Sequence, residues 1–318
     1  MSQTIRTAES APRKCMWEAW DANEHAHNLT DWSQEYDQFG QGGFYGRIDE
    51  VHLPAMQVFK EYTSHALGQQ CNVWPDSLWL GIPVDERGCR INGHEVGERE
   101  IMCQPGGRDF ELVTPDGFGI YGLVVGREWL VRAGGEAARP LLDADPERVM
   151  RLKLPHRTRR ATTFLIERLL GLQGEGLAPQ VHQDILGLAL QEILHEETPN
   201  TERPPSYRHR RQVVDGIRDH LESGAALPVS LDELCEIAHV SQRTLRYSFS
   251  SILGISPIQF LRLTRLNRVR RRLCEPGTET TVSQAAADWG FYHLGQFARD
   301  YRRLFGESPS ATLVRHRH

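Results

Sequence analysis

Two short segments near the end of the chain carry side chains whose chemistry suits the edges of nucleic-acid bases. The first segment contains Gln242, Arg243, Arg246 and Tyr247, and the second contains His293, Gln296, Arg299 and Arg302. Arginine can form paired hydrogen bonds with guanine, and glutamine can do so with adenine. An arginine further along a helix, such as Arg302, suits phosphate groups. These residues therefore predict two base-reading segments.

The elements that must position these residues form an internal repeat. LRYSFSSILGISP (245–257) aligns with FARDYRRLFGESP (297–309) at an offset of 52 residues, and LDELCEIAHV (231–240) aligns with VSQAAADWGF (282–291) at an offset of 51. Each copy predicts a helix of about eight residues, a turn, and a helix of about twelve residues. In a helix-turn-helix the second helix enters the DNA major groove. The duplication disfavours the alternative of a generic helical bundle.

The periodicity of each second helix predicts which side faces the core. Apolar residues recur one helical turn apart at Leu245, Phe249 and Leu253 in the first copy and at Phe297, Tyr301 and Leu304 in the second. Ser241 is a predicted N-cap, and Gly254 and Gly306 are predicted to end the two helices. Gly290 is predicted to form the turn of the second copy.

One Arg-rich helix, PIQFLRLTRLNRVRRRL (257–273), is predicted to join the two copies. Its non-apolar sides carry Arg262, Arg265, Arg268, Arg270, Arg271 and Arg272. Seventeen residues span about 25 Å at 1.5 Å per residue. This length suits a rigid spacer between two reading helices about 34 Å apart, one turn of B-DNA. One chain should therefore read two successive major grooves.

The net charge of −5 conceals a strong asymmetry along the chain. From Arg208 to the C-terminus, 17 arginines oppose 11 acidic residues, whereas the preceding residues hold 20 basic and 31 acidic side chains. A basic last third on an acidic body indicates that this third meets a polyanion. Charge alone leaves a solvated charged surface as the alternative.

The first two thirds of the chain change from a strand pattern to a helical one. Short runs cut by Gly and Pro read as strands: FYGRIDEVHL, SLWLGIPV, REIMCQP, RDFELVTP and FGIYGLVV. MQVFKEYTSHAL (56–67) could be helix or strand. TTFLIERLLGL and QVHQDILGLALQEILHEE have helical periodicity, and they could cover a barrel or pair with a second subunit. Residues 1–30 are polar and aperiodic, which predicts a flexible tail.

These patterns predict an α+β chain of two domains. Residues 1–196 should form a β-rich, barrel or sandwich-like effector domain with helices, which also mediates dimerisation. The proline-rich residues 197–207 should be a linker, and residues 208–318 an all-α DNA-binding domain with two helix-turn-helix units. No run approaches the ~20 apolar residues that span a bilayer, and no signal peptide is present, so a cytoplasmic location is expected.

Other functional classes find little support. The six cysteines have wide, irregular spacings without a CxxC pair, which favours reduced thiols over a zinc site. Gly117, Gly119 and Gly122 form a literal GxGxxG, but a strand pattern follows it instead of a helix, so a dinucleotide site is not expected. A metal-dependent β-barrel enzyme is the rival class, although its candidate ligands (His52, His65 and His94) are scattered. We predict neither an enzyme nor a metal site.

The last third resembles the AraC/XylS family of bacterial transcription regulators. The resemblance rests on LDELCEIAHVSQRTLRYSF, the proline-initiated Arg-rich helix and AADWGFYHLGQFARDYRRLFGESP, and it covers about 110 residues. In this family the N-terminal turns of both recognition helices contact bases. The resemblance assigns that role to Gln242, Arg243 and Arg246 and to His293, Gln296 and Arg299. Tyr247 stands where other members often have arginine.

The N-terminal part also resembles the effector domain of regulators of ethanolamine utilisation. The similar stretches are DWSQEYDQ, VFKEYTSHALGQQCNVWPDSLWLGIP and QPGGRDFELVTPD. This resemblance implies ethanolamine as effector, with adenosylcobalamin as co-effector. A small cation is best held by carboxylates and aromatic faces. The candidates of these types in the β-rich region are Trp74, Trp79, Asp109, Phe110 and Glu111.

The sequence thus predicts a ligand-responsive transcription activator of a catabolic operon. Its expected partners are double-stranded DNA, RNA polymerase, a small effector and a second copy of the chain. Within the same class, the effector could instead be a different metabolite. An architectural DNA-binding protein without effector is disfavoured, because about 200 residues would then lack a task.

Overall fold

Two antiparallel β-sheets form the N-terminal part of the chain. The computed structural model describes residues 13–85, 87–134, 139–142, 150–171, 179–196, 206–223, 230–275, 277 and 279–317. Within them the first sheet has seven strands in the order β1 (Arg13–Ala19), β3 (Gly46–Leu53), β4 (Met56–Thr63), β11 (Phe118–Gly126), β6 (Ser77–Pro83), β9 (Glu100–Pro105) and β12 (Met150–Lys153). The second has five, in the order β2 (Ser33–Gln38), β5 (Leu67–Asn72), β10 (Asp109–Thr114), β7 (Arg90–Ile91) and β8 (His94–Glu95).

The central strands β11, β6 and β9 of the first sheet are buried on both faces. Its inner face contributes Phe59, Trp79 and Val124 to a core shared with Phe110 of the second sheet. Its outer face packs against α2 (Arg127–Gly134), α3 (Arg139–Leu142), α4 (His156–Gly171) and α5 (Pro179–Glu196). The ambiguous stretch at 56–67 is strand β4 up to Thr63, with side chains that alternate between these two cores; a turn follows, and Leu67 begins β5. The helical periodicity of α5 places Leu186, Leu190, Ile193 and Leu194 on one side, which is buried here.

The predicted flexible tail is wrong from Arg13 onward. Strand β1 pairs along its whole length with β3, and Asp21 caps the short helix α1 (Ala22–Ala26), whose His25 is fully buried. The pattern gave no strand signal because Ala19 is the only residue of Lys14–Ala19 that is buried. Backbone hydrogen bonds to β3, instead of alternating side-chain burial, hold this edge strand in place.

The C-terminal part is entirely helical where the structure describes it. Its helices are α6 (Tyr207–Glu222), α7 (Leu231–Ala238), α8 (Gln242–Leu253), α9 (Pro257–Cys274), α10 (Val282–Asp288), α11 (Leu294–Phe305) and α12 (Pro309–His316). Residues of α6, α7 and α8 form one core, and residues of α10, α11 and α12 form another. Helix α9 contributes to both cores, with Phe260 and Leu261 in the first and Leu266 and Val269 in the second. The α+β prediction and the duplicated helix-turn-helix arrangement are therefore confirmed.

The predicted domain boundaries remain predictions. Most of the proposed linker, residues 197–205, lies outside the described residues, and Tyr207 already begins α6. None of the described helices is long and apolar enough to cross a membrane.

Candidate DNA-binding surface

Side-chain caps fix the ends of the first helix-turn-helix unit. Ser230 and Glu233 form a reciprocal capping box at the start of α7. The hydroxyl of Ser241 accepts a hydrogen bond from the Thr244 backbone N–H, which starts α8 where the sequence predicted. Gly254, at φ +74°, ends α8 in the left-handed region that favours glycine.

The second unit is built in the same way. Thr281 caps α10, Gly290 turns the chain at φ +77°, and Gly306 ends α11 at φ +73°. His293 occupies the N-cap position of α11, but its side chain makes no capping hydrogen bond. The sequence therefore predicted the turn and the end of α11 correctly.

Burial separates the two faces of each second helix as the periodicity predicted. The six apolar positions Leu245, Phe249, Leu253, Phe297, Tyr301 and Leu304 are all at most 3% exposed. The predicted DNA-contacting residues are all exposed: Gln242, Arg243, Arg246, Tyr247, His293, Gln296, Arg299 and Arg302. Each unit thus presents a polar face anchored by a buried apolar one.

Several of the predicted readers already have partners. Gln242 Nε2 donates to Asp232 Oδ1 (2.6 Å), and Gln296 Nε2 donates to Asp300 Oδ1 (2.8 Å). Arg299 Nη2 donates in turn to Gln296 Oε1 (2.8 Å). By contrast, Arg243 makes no hydrogen bond or ion pair with another described residue.

Tyr247 differs from the other readers because a cation from α6 covers it. The guanidinium carbon of Arg210 lies 5.1 Å from the centroid of the Tyr247 ring, and Arg210 Nη1 donates to the Tyr247 hydroxyl at 3.1 Å. Arg210 is 6% exposed, so this contact packs the Tyr247 ring against α6 and leaves the ring itself exposed.

Three arginines of α9 contact the N-terminal part instead of solvent. Arg271 Nη2 donates to Asp37 Oδ1 (2.7 Å), Arg268 lies 3.4 Å from Glu35, and Arg270 pairs with Asp21. Asn267 adds two hydrogen bonds to the backbone of Gln38, at 2.9 and 3.0 Å. Part of the basic character of the last third therefore neutralises acidic groups of the same chain.

Helix α6 makes a second set of such contacts through Glu111. This carboxylate is 1% exposed and accepts hydrogen bonds from Arg218, from Arg211 (3.2 Å) and from Gln70 (3.2 Å). Because the side chains of β10 alternate, Glu111 faces α6 whereas Phe110 faces the inner core.

The N-terminal part touches both helix-turn-helix units. The backbone N–H of Gly42 (3.0 Å) and the side chain of Gln38 (2.7 Å) both donate to the Leu304 carbonyl, near the end of α11. On the other side, Val113 of β10 packs against the core that α6, α7 and α8 share, and the hydroxyl of Tyr207 in α6 donates to the Asn92 carbonyl. The exposed polar faces of α8 and α11 remain uncovered by these contacts.

Burial and ion pairing shift the pKa of Asp21 and of Asp37 in opposite directions. Burial acts to raise the pKa of Asp21, but Arg270 and the backbone N–H groups of Glu24 and Asn23 outweigh it and hold the pKa below its usual value. At Asp37 burial wins, and it raises the pKa although Arg271 opposes the shift. The two neighbouring ion pairs therefore respond differently to acid.

The five predicted effector-binding residues lie in two places. Trp79 and Phe110 stack between the sheets with ring centroids 4.9 Å apart, and the half-buried Trp74 packs beside them. Asp109 is exposed and bound by Asn72 (2.7 Å), and Glu111 is held by the arginines of α6. The structure thus brings the aromatic candidates together but not the carboxylates.

Sequence reasoning missed the polar residues inside the sheets. Gln104 is fully buried beside Trp79 on the neighbouring strand. Its two amide atoms and Trp79 Nε1 have no hydrogen-bond partner among the described residues. The nearly buried Glu61 accepts a hydrogen bond from Tyr36 (3.1 Å) and lies 3.0 Å from His25 Nε2. Only strand register could have revealed these neighbours. Within the described ranges, no group of three His, Cys, Asp or Glu residues could hold a metal ion.

The fold and this surface define a DNA-binding protein of the helix-turn-helix class, with two units per chain. A family model described as "Helix-turn-helix domain" matches residues 234–315. The chain is 39% identical over 115 residues to XylDLEGF operon transcriptional activator 2 of Pseudomonas putida, covering 34% of this chain and 73% of that protein. The chain therefore belongs to the AraC/XylS family of transcription regulators.

The chain is also similar, over parts of its length, to other proteins. XylDLEGF operon transcriptional activator 3 of Pseudomonas putida is 31% identical over 182 residues, which is 54% of this chain but only 52% of that protein. A probable AraC family transcriptional regulator from Rhodopseudomonas palustris covers 33% of this chain at 37% identity, with a TM-score of 0.29. The AraC-like transcriptional activator CuxR covers 87% at 15% identity, with a TM-score of 0.44.

Proposed function

We propose that this chain is a ligand-responsive transcription activator. Residues 208–318 would bind DNA, and residues 1–196 would bind the effector and a second copy of the chain. Residues 197–207 would be the linker between these two domains. The observation that carries the proposal is the pair of exposed polar faces on α8 and α11, joined through α9. The similarity to operon transcriptional activators supports activation of an operon. We further propose that this operon is catabolic, that RNA polymerase is a partner and that the chain acts in the cytoplasm.

The chemistry of each face supports a division of labour on DNA. Arg243 and Arg246 can each make paired hydrogen bonds to guanine, and Gln242 and Gln296 suit adenine. Arg302 lies about one helical turn after Arg299 on α11. It suits a phosphate group, a contact that raises DNA affinity but does not depend on the base sequence.

Arg243→Ala and Gln296→Ala are each expected to weaken specific DNA binding by about 1–3 kcal/mol and to leave non-specific binding nearly intact. The reason is that each removes a base contact. Arg302→Ala is the matched control, because loss of a phosphate contact should weaken binding to all sequences and reduce the salt dependence. Binding titrations on an operator duplex and on random duplex measure both effects. An equal loss on the two duplexes in the first two variants would show that those residues do not read bases.

The inner core of the two sheets supports a polar effector. Trp79 Nε1 and both amide atoms of Gln104 are buried without a partner among the described residues. Buried polar groups of this kind usually find a protein, water or ligand partner. Beside them, Trp32 and Trp74 donate to Gln57 Oε1 at 3.0 and 3.2 Å, and Gln57 donates to Glu50 at 2.5 Å. Indole rings beside a buried carboxylate suit a small amine.

Ethanolamine is accordingly the first effector to test, with adenosylcobalamin as co-effector. Its support is the resemblance of the N-terminal part to regulators of ethanolamine utilisation. The alternative is a different small metabolite. The names of the relatives, which refer to the XylDLEGF and thc operons, do not mention ethanolamine and therefore support testing other metabolites as well. The rival hypothesis of a metal-dependent enzyme would require stoichiometric metal in the purified protein.

A true effector should raise the melting temperature of the full chain. A ligand at 100 times its Kd adds about 2.7 kcal/mol of stability by mass action. The screen contains ethanolamine, cobalamins and other small amines. In Gln104→Leu, which removes the unpaired amide but keeps a similar volume, the ligand-induced shift should disappear while the protein still melts cooperatively. An undiminished shift in that variant would place the ligand elsewhere.

The exposed apolar residues of α4 and α5 support pairing with a second copy. Phe164 is 64% exposed and Leu188 is 67% exposed, on two helices whose other sides pack against the first sheet. Burial of both by a partner would remove this apolar surface from water.

A further inference from the structure

The side-chain amide of Gln296 is held in one orientation by its neighbours on α11. Nε2 donates to Asp300 Oδ1 at 2.8 Å, and Oε1 accepts from Arg299 Nη2 at 2.8 Å. Gln296 and Arg299 are exposed on the reading face, whereas Asp300 is 6% exposed and lies behind them. The amide therefore has its donor end toward the protein and its acceptor end toward the exposed arginine.

A carboxylate behind the glutamine allows only this orientation. A carboxylate accepts hydrogen bonds and donates none, so only the NH2 group of a glutamine can face it. Asp300 is itself fixed, because it forms an ion pair with Arg262 of α9. Reversal of the Gln296 amide would place Oε1 against a buried carboxylate, which is unfavourable.

In the first unit a glutamine amide is also held by an aspartate, but this aspartate lies on a different helix. Gln242, in the first turn of α8, donates through Nε2 to Asp232 Oδ1 at 2.6 Å. Asp232 lies in the first turn of α7, one helix earlier in the chain. Asp232 and Asp300 do not occupy equivalent positions of the repeat, so the shared feature is the contact with glutamine and not the copied sequence.

We propose that Asp300 and Asp232 determine specificity by presenting the carbonyl oxygen of each reading glutamine to DNA. The proposal rests on the base-reading role proposed above. In the major groove adenine and cytosine offer an amino donor, whereas guanine and thymine offer a carbonyl acceptor at the corresponding place. The Oε1 atom opposite each held amino group can accept from these donors and is repelled by the acceptors; on Gln296 one of its two lone pairs already accepts from Arg299. Each glutamine therefore selects adenine or cytosine over guanine or thymine on the contacted strand.

Substitution of the carboxylate by its amide tests this assignment. Asn can donate as well as accept, so Asp300→Asn releases the Gln296 amide to rotate and offer either end. The wild-type full chain is first used to select sites from a random duplex pool. Competition binding then compares four duplexes that differ at the base pair where Gln296→Ala loses its preference. The wild type should discriminate roughly 5- to 150-fold against guanine and thymine there, and Asp300→Asn should reduce this to less than about threefold.

Asp232→Asn provides an independent second variant. Asp232 is exposed, so this change leaves the core intact, and it should relax the preference only in the other groove, at the pair read by Gln242. Asp300→Asn should leave that position unchanged, so each variant is the control for the other. Circular dichroism should match the wild type in both, and non-specific affinity should not fall, because each change removes a negative charge.

The outcomes separate the two proposals. If Gln296→Ala and Gln242→Ala change no base preference, the base-reading function of these residues fails. If they do change a preference, but the wild type selects guanine or thymine there, the orientation proposal alone is overturned. It is also overturned if both Asp→Asn variants retain the full discrimination.

Discussion

Arg270→Ala is expected to lower the free energy of unfolding by about 3–5 kcal/mol, because it leaves a buried carboxylate without its counter-charge. Arg270 is 7% exposed and pairs with Asp21, which is 6% exposed. It also bonds Glu307 at 3.1 Å, and its guanidinium carbon lies 4.6 Å from the centroid of the Phe305 ring. The measurement is urea-induced unfolding followed by tryptophan fluorescence.

Two further variants show whether the effect belongs to the buried pair. Arg272 lies two residues further along α9 and is exposed, so Arg272→Ala should change stability by no more than about 0.5 kcal/mol. The double variant Arg270→Met with Asp21→Asn removes both charges and keeps a capping side chain at position 21, and it should lose less than Arg270→Ala alone. Equal midpoints for Arg270→Ala and the wild type would contradict the observed contact.

The charge asymmetry of the chain is explained in part by ion pairs between its C-terminal and N-terminal parts. The basic last third was expected to meet a polyanion, and Arg211, Arg218, Arg268, Arg270 and Arg271 meet acidic groups of the N-terminal part. Meanwhile Arg243, Arg246 and Arg302 remain exposed on the helix-turn-helix units. Charge counting predicted an attraction between opposite charges but could not divide the arginines between DNA and protein.

The helix-turn-helix units were predictable because their signals are local. Caps such as Ser241, turn glycines such as Gly290 and an apolar repeat at one-turn spacing all act within about four residues. The repeated copy doubled this evidence. The two-helix plan of each unit, the ends at Ser241, Gly254 and Gly306 and the exposed faces could therefore be predicted.

The contacts between the N-terminal part and the helices, and those inside the sheets, were less predictable because their residues are distant in sequence. Asp21 and Arg270 are 249 residues apart, and Gln38 and Asn267 are 229 apart. Alternation along β10 separates Phe110 from Glu111, but it does not say which face meets helix α6. Likewise only the register of β6 with β9 brings Gln104 beside Trp79.

Removal of one predicted reader from each unit should give the largest loss of DNA affinity. Arg243→Ala and Gln296→Ala lie on α8 and α11, which have separate cores, and the partners of Gln296 belong to the second unit. Substitutions without shared partners are usually additive. The double variant should therefore lose about 2–6 kcal/mol of specific binding, roughly 30-fold to more than 10⁴-fold. Fluorescence anisotropy with an operator duplex measures this loss.

A matched double variant on the N-terminal part controls for the loss of one arginine and one glutamine. Arg132 and Gln180 are exposed on α2 and α5, and Gln180 bonds Asp184 at 3.0 Å much as Gln296 bonds Asp300. Arg132→Ala with Gln180→Ala should leave DNA affinity within about twofold, since surface changes away from the interface have small effects. Additivity in the first double variant means that both units hold the operator at once. A loss no larger than that of one single variant would mean that one unit binds specifically and that α9 does not space two reading helices along the duplex.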